Sequence, residues 1–305
     1  MGEIRYDGRV AVVTGAGAGL GRSHAMFLAS RGAKVVVNDL GGSVDGSGGS
    51  ARAADAVVDE IRAAGGEAVA NYDGVGTAES GVAIVRTALD TWGRIDILVN
   101  NAGILRDKSF AKVSPADFQA VIDVHLMGSV WCTHAAWPHM QAANYGRIVM
   151  TTSAAGLYGN FGQVNYGAAK LGLVGLMNAL KQEGRKNNIT VHTVAPVAGT
   201  RMTEGIVPEA LFGALKPELI TPAVGWFVAE ENEETGTIIE CGAGYFGKVQ
   251  VVEGAGMHFG FERSVTPEDL RENWGRITDM SAARPYPSAM DALGVVFAEL
   301  AKQAG

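Results

Sequence analysis

The chain has 305 residues, 47% of them apolar and 19% charged, and carries a formal net charge of −7 at pH 7. That suffices for one large α/β domain with a substantial core, or for two small ones, and the acidic balance argues against a nucleic-acid partner or an anionic membrane surface. Two cysteines, Cys132 and Cys241, fit a reducing compartment rather than a disulfide framework. No apolar run reaches the roughly 18 residues that span a bilayer. Residues 1–7 have no apolar signal-like segment, and Lys302-Gln-Ala-Gly305 is not a Ser-Lys-Leu address, so a cytoplasmic protein is expected.

Residues 9–14 (RVAVVT) predict a buried strand. Gly15-Ala-Gly-Ala-Gly19-Leu20-Gly21 follows, then a helical pattern to about Ser30 with Gly32 as its C′ residue. Residues 34–38 (KVVVN) predict a second strand, closed by Asp39. Small residues in such a first turn let the backbone approach a pyrophosphate, and the helix start near Gly19 offers free N–H groups and a positive dipole end. An acid at the tip of the second strand accepts hydrogen bonds from ribose hydroxyls and repels a 2′-phosphate. Gly15, Gly19, Leu20, Gly21 and Asp39 are therefore expected to hold a dinucleotide, NAD rather than NADP; the bland alternative is a glycine-rich turn without a ligand. The spacing Gly15-x-x-x-Gly19-x-Gly21 departs from the GxGxxG of many dehydrogenases.

Residues 41–50 (GGSVDGSGGS) read as a surface insertion beside the cofactor site, because helical periodicity resumes at Ala54, Val57, Val58 and Ile61. A third strand over 68–72 is closed by Asp73-Gly74-Val75, further candidate cofactor contacts; Asp73 either bonds an adenine amino group or caps the next helix. An amphipathic helix over 78–92 (Val82, Val85, Leu89) and a strand over 95–99 lead to Asn100-Asn101-Ala102-Gly103. Asn100 suits a structural role, and Asn101 is expected near the nicotinamide ribose. Ser114, Pro115 and Asp117 start a long helix that carries His125 and runs toward Met140, with Cys132 in the core. Strands over 147–151 and 190–194 follow, the latter broken by Ala195-Pro196, and residues 237–240 form a short last one. This alternation predicts an α/β fold, a Rossmann-type doubly wound parallel sheet, with ligands at the carboxyl ends of the strands.

Gly15, Asp39, Asp73, Asn101, Ser153 and Pro196 all fall at such ends. Beyond Ser153, Tyr166 and Lys170 stand at i, i+4 on one helix face. A cation beside a phenol favours the phenolate and would draw the Tyr166 pKa toward working pH, as an alcohol/ketone proton shuttle requires. A bare YxxxK is weak by itself, and an exposed Tyr and Lys on an ordinary helix would look the same. Its place in the alternating pattern is what gives it weight. No metal site is expected.

The motifs Thr14-Gly15-x-x-x-Gly19-x-Gly21, Asn100-Asn101-Ala102-Gly103, Ser153 and Tyr166-x-x-x-Lys170 together resemble the short-chain dehydrogenase/reductase family over about residues 5–245. The resemblance implies Tyr166 as general acid/base, Ser153 orienting the substrate carbonyl, and Lys170 lowering the Tyr166 pKa while bonding the nicotinamide ribose. It also implies Pro196 beside the nicotinamide carboxamide, joined by Thr200. Where the family usually has Asn, which holds a relay water largely through its backbone carbonyl, this chain reads Val124-His125-Leu126. His125 is a catalytic candidate on that ground and a structural histidine otherwise. Val37-Asn-Asp39-Leu-Gly-Gly, Gly103-Ile-Leu-Arg-Asp107, Tyr158-Gly-Asn-Phe-Gly-Gln163 and the glycine-rich insertion are similar to the family's (3R)-hydroxyacyl-CoA dehydrogenase branch. That implies an NAD-dependent oxidoreductase for a small-molecule acyl-CoA, working as a homodimer or higher homo-oligomer. A hydroxysteroid or other secondary-alcohol dehydrogenase is the near alternative, and a non-catalytic NAD-sensing protein the distant one. Residues 1–245 are read as the NAD-binding domain and 246–305 as a C-terminal extension, lining the substrate channel or making a dimer contact.

Overall fold

Strand and helix alternate because each apolar, β-branched run must be covered on both faces. A computed structural model describes residues 2–199, 213–260 and 262–304 of the chain. Its strands are β1 (Val10–Thr14), β2 (Lys34–Asn38), β3 (Glu67–Asn71), β4 (Ile97–Asn100), β5 (Gly146–Thr151), β6 (Ile189–Pro196), β7 (Ile238–Gly242) and β8 (Tyr245–Val249). They form one sheet in the order β3-β2-β1-β4-β5-β6-β7-β8, parallel at least from β3 through β7. The order reverses between β1 and β4, which leaves a crevice at their carboxyl ends where a ligand fits. All of β1 and β5 is buried, and Ala11, Val13, Val35, Val37, Ile97 and Val99 pack with Leu28, Ile61 and Phe227 in one core. Each Val, Leu, Ile and Phe among them contributes about 1.5–3 kcal/mol by leaving water.

The helices of this unit are α1 (Gly19–Ser30), α2 (Arg52–Ala63), α3 (Ala78–Trp92), α4 (Pro115–Ile122), α5 (Gly128–Ala143), α6 (Ala154–Tyr158), α7 (Val164–Gly184) and α8 (Thr221–Val228). Thr77 and Ser80 close a capping box on α3, and Ser114 caps α4 by accepting from Asp117 N–H. The buried face of α3 is Gly81, Ile84, Val85 and Ala88, leaving Val82 exposed. The phase differs from expectation because Gly81 lets α5 approach: a Cβ there would stand 2.7 Å from the Trp131 carbonyl carbon. The long helix expected from Pro115 runs without a break to Ala143, with one π-helical turn, Asp123–Met127, between α4 and α5. Pro196 does not break β6 but ends it in register with Cys241, a terminal position where proline's missing N–H is tolerated. Both cysteines are buried, which pushes each thiol up to about 12.

The chain divides into two units, Met1–Lys248 and Val249–Gly305. The split falls after the expected residue 245 because β8, which the sequence does not announce, prolongs the sheet. In the second unit Thr266 closes a capping box with Asp269 on α9 (Pro267–Ile277), α10 (Ala289–Ala304) follows, and Glu253 pairs with Arg284 in an antiparallel bridge. No helix among the described residues is long and apolar enough to cross a membrane.

Candidate active site

A cavity of about 820 Å³ opens at the carboxyl ends of the central strands. On one side β1 delivers the glycine turn. Gly15 has φ +62°, and a Cβ there would stand 2.7 Å from Ala102 Cα, so only glycine lets the turns after β1 and β4 touch. Asn101 fastens that contact: its Nδ2 donates to Thr14 O and Gly15 O, both at 3.0 Å. Asn101 lines the cavity, yet its amide nitrogen is committed to the turn. Asn100 donates to Thr133 Oγ1 at 3.1 Å, the structural role expected of it. Helix α1 begins at Gly19 behind Ala18 with no side-chain cap, and Ala18, Gly19 and Leu20 line the cavity. Its first N–H groups are thus open to an anion. Gly21 lies outside the cavity wall; a Cβ there would meet Gly15 O at 2.2 Å, so it serves the packing of helix on turn.

Asp39 is pinned at both carboxylate oxygens, by Gly17 N–H at 2.7 Å and Gly41 N–H at 2.6 Å. An ionised carboxylate has about four acceptor sites, so two remain for hydroxyls. Asp73, Gly74 and Val75 line the same end. Asp73 does not cap α3, since Thr77 does; its carboxylate accepts from Asn71 Nδ2 at 2.8 Å.

On the other side, Ser153 caps α6, accepting from Ala155 N–H at 3.1 Å, and α7 carries Tyr166 and Lys170 into the cavity wall. Gly156 lets α6 pack on α7, because a Cβ there would stand 2.7 Å from Lys170 Cβ. Lys170 Nζ donates to Thr151 O at 2.5 Å and stands 5.4 Å from the Tyr166 ring centroid. The shifts run opposite to the expected electrostatics. Burial pushes the Tyr166 phenol up to about 12, with the Ser153 hydrogen bond pulling down and Asp107 adding to the rise. Burial also brings the Lys170 ammonium down to about 7. Desolvation, the largest cause in both cases, disfavours the charged form of each group.

His125 lies within the π-helical turn, buried, its ring edge-on to Tyr166 at 5.1 Å between centroids. Nε2 either accepts from Ile104 N–H (3.0 Å) or donates to Ile104 O (2.7 Å), according to the tautomer. Among the described residues, buried Nδ1 has no hydrogen-bond partner, and neither does Thr151 Oγ1. Burial, then the Lys170 charge, hold the imidazole well below its ordinary pKa, so it is neutral. Its backbone carbonyl already accepts from Ser129 Oγ at 2.7 Å. Gly103 is required beside it: a Cβ there would stand 2.4 Å from His125 Cε1.

Pro196 lines the cavity at the end of β6; Thr200 lies outside the described residues. Sequence reasoning missed Arg106, Asn160 and Gln163, which line the same cavity as Tyr166. Gln163 Nε2 donates to Asp107 at 2.6 Å and Asn165 Nδ2 to Arg106 O at 3.2 Å, ties between distant segments that no local pattern announces. An uncapped helix start, a pinned acid and two unpartnered buried polar atoms suit a dinucleotide held by backbone and hydroxyl contacts.

The chain belongs to the short-chain dehydrogenase family, whose model matches residues 9–210, and it is an oxidoreductase. It is 53% identical over 303 residues to peroxisomal multifunctional enzyme type 2 of Drosophila melanogaster, a match covering 99% of this chain and 50% of that protein. The solved full-length structure of that enzyme superposes with a TM-score of 0.84 over 98% of this chain and 50% of that one. The chain thus spans about half the length of that relative. A putative short-chain type dehydrogenase/reductase of Mycobacterium tuberculosis is 49% identical over 90% of this chain and 96% of its own. A 7α-hydroxysteroid dehydrogenase solved with NADH and 7-oxo glycochenodeoxycholic acid is 28% identical, with a TM-score of 0.71 over 79% of this chain and 95% of that one.

Proposed function

We propose that the protein interconverts (3R)-3-hydroxyacyl-CoA and 3-ketoacyl-CoA with NAD as the redox partner. The observation that carries the chemistry is the convergence of Ser153, Tyr166 and Lys170 on the cavity whose far end holds the glycine turn and Asp39. The acyl-CoA class is supported by near-full-length identity to multifunctional enzyme type 2 and by the resemblance to the (3R)-hydroxyacyl-CoA branch.

Asp39 takes the adenosine ribose hydroxyls and disfavours a 2′-phosphate, and the start of α1 takes the pyrophosphate. When bound, the nicotinamide ring accepts or supplies the hydride. Ser153 donates to the substrate oxygen and fixes it beside the phenol. In reduction Tyr166, protonated at neutral pH, gives its proton to the carbonyl oxygen as C3 gains a hydride. In oxidation Tyr166 works as the phenolate, whose oxygen takes the hydroxyl proton as C3 loses a hydride. Lys170 acts once ribose hydroxyls give Nζ acceptors that favour its charged form, which in turn favours the phenolate. His125, neutral and edge-on to the phenol, holds the Tyr166 ring.

Purified protein with NAD should generate NADH fluorescence from (3R)-3-hydroxyacyl-CoAs and far less from the (3S) forms. Turnover of hydroxysteroids with no response to either acyl-CoA configuration would refute the substrate class. Silence across a broad alcohol and ketone panel, with NADH still bound, would instead indicate a sensor.

A further inference from the structure

Residues 41–50 contain one acid, Asp45, and no lysine or arginine. Their base is closed: Ser50 N–H donates to Leu40 O at 2.9 Å, and a Cβ on Gly41 (φ +74°) would stand 1.9 Å from Ser50 O. Their tip is shaped by the Asp45 carboxylate, which accepts from Ser47 N–H (3.0 Å), Ser47 Oγ (2.8 Å) and Ser43 Oγ. Those bonds hold the Asp45 carboxyl down at about 2. The tip does not end in solvent but reaches the segment after β4. Leu105 N–H donates to Val44 O at 2.9 Å, and Arg106 Nε donates to Asp45 O at 2.9 Å. Gly46 (φ +83°) rests on Ile104, where a Cβ would stand 3.0 Å from Cγ2. The base is tied to the glycine turn as well, because Asp39 accepts from both Gly41 and Gly17. Gly42, Ser43, Val44 and Gly46 line one bank of the cavity, and Leu105 and Arg106 line the other.

We propose that residues 41–50 are a brace fastened across the nucleotide end of the cavity, which slows release of NAD(H) and helps exclude a 2′-phosphate. The proposal rests on the dinucleotide reading above and deepens it. A segment anchored on both banks must give up the bonds at Leu105 and Arg106 before a ligand beneath it can leave. Its inner surface offers backbone groups, one hydroxyl and a valine. A 2′-phosphate placed between it and Asp39 would find no lysine or arginine of the brace to balance its charge.

The test uses the full chain in three forms: unchanged, with residues 42–49 excised, and as Asp45→Ala. Excision is geometrically mild because Gly41 and Ser50 already touch. Asp45→Ala loosens the tip at an exposed position outside the cavity wall and guards against an excised protein that fails to fold. NADH release is followed by stopped-flow fluorescence, and NADH and NADPH affinities by titration. The expected result is an NADH off-rate raised about tenfold in each folded variant, as the loss of one or two hydrogen bonds implies. The NADH preference over NADPH should narrow in the excised form. Unchanged off-rates and an unchanged preference in folded variants, with NADH still bound by the unaltered protein, would overturn the brace alone. Failure of the unaltered protein to bind either nucleotide would overturn the dinucleotide reading and the brace with it.

Discussion

Replacing Lys170 with methionine should stabilise the ligand-free protein at pH 6 and lose that advantage near pH 10. Lys170 is buried, with Thr151 O as the acceptor of its ammonium, and burial brings its pKa from 10.5 to about 7. Below about pH 7 the folded and unfolded chains both hold the proton, so folding bears the full penalty of a buried charge. Between about 7 and the ordinary value of about 10.4 the unfolded chain binds more protons, and stability rises with pH. Above that both are neutral and the penalty is gone. At about 1.4 kcal/mol per unit, the lowering represents on the order of 5 kcal/mol, from which loss of the Thr151 hydrogen bond subtracts about 1 kcal/mol at every pH. A net gain of about 4 kcal/mol at pH 6 would raise Tm by about 8–16 °C in a unit of this size. Urea unfolding of both proteins at pH 6 and pH 10, without nucleotide, gives the comparison. A stability difference that is the same at both pH values, or larger at pH 10, would refute the reasoning.

Other substitutions probe the supports of the cavity. Gly103→Ala should destabilise by about 2–3 kcal/mol in denaturant unfolding, because its Cβ would stand 2.4 Å from His125 Cε1; adding His125→Ala should recover part of that loss. Asp96→Ala should cost about 3–5 kcal/mol by the same measurement, since its buried carboxylate accepts from Val10 N–H (2.9 Å) and Arg94 (2.6 and 2.8 Å) and pairs with Arg9 at 3.4 Å. Asp39→Ala removes the bonds to Gly17 and Gly41, and should weaken NADH binding about tenfold or more while narrowing its preference over NADPH, as read by fluorescence titration.

The sheet was legible because β1, β2 and β5 are short runs with apolar, largely β-branched centres bounded by glycine or polar residues, and α3 because caps bracket its periodicity. The π-helical turn at Asp123–Met127 was not, since inserting an i→i+5 bond leaves the run of apolar side chains unbroken. Nor was β8: Tyr245-Phe-Gly-Lys-Val249 is largely exposed, and its glycine argues against a strand. The pairing of Tyr166 with Lys170 could be read from their spacing. The direction of their pKa shifts could not, because it depends on how completely neighbouring segments exclude water. Residues 41–50, read as an insertion beside a cofactor site, do line the cavity, but their bonds to Leu105 and Arg106 join positions about sixty residues apart.

The most direct test of the proposed acid–base chemistry is Tyr166→Phe, assayed with NAD and a (3R)-3-hydroxyacyl-CoA alongside an NADH titration. Removing one hydroxyl from a ring that keeps its packing against His125 should abolish turnover, by at least about a hundredfold, with NADH affinity close to that of the unaltered protein. Turnover retained within a few-fold would contradict the assignment of Tyr166 as the proton carrier.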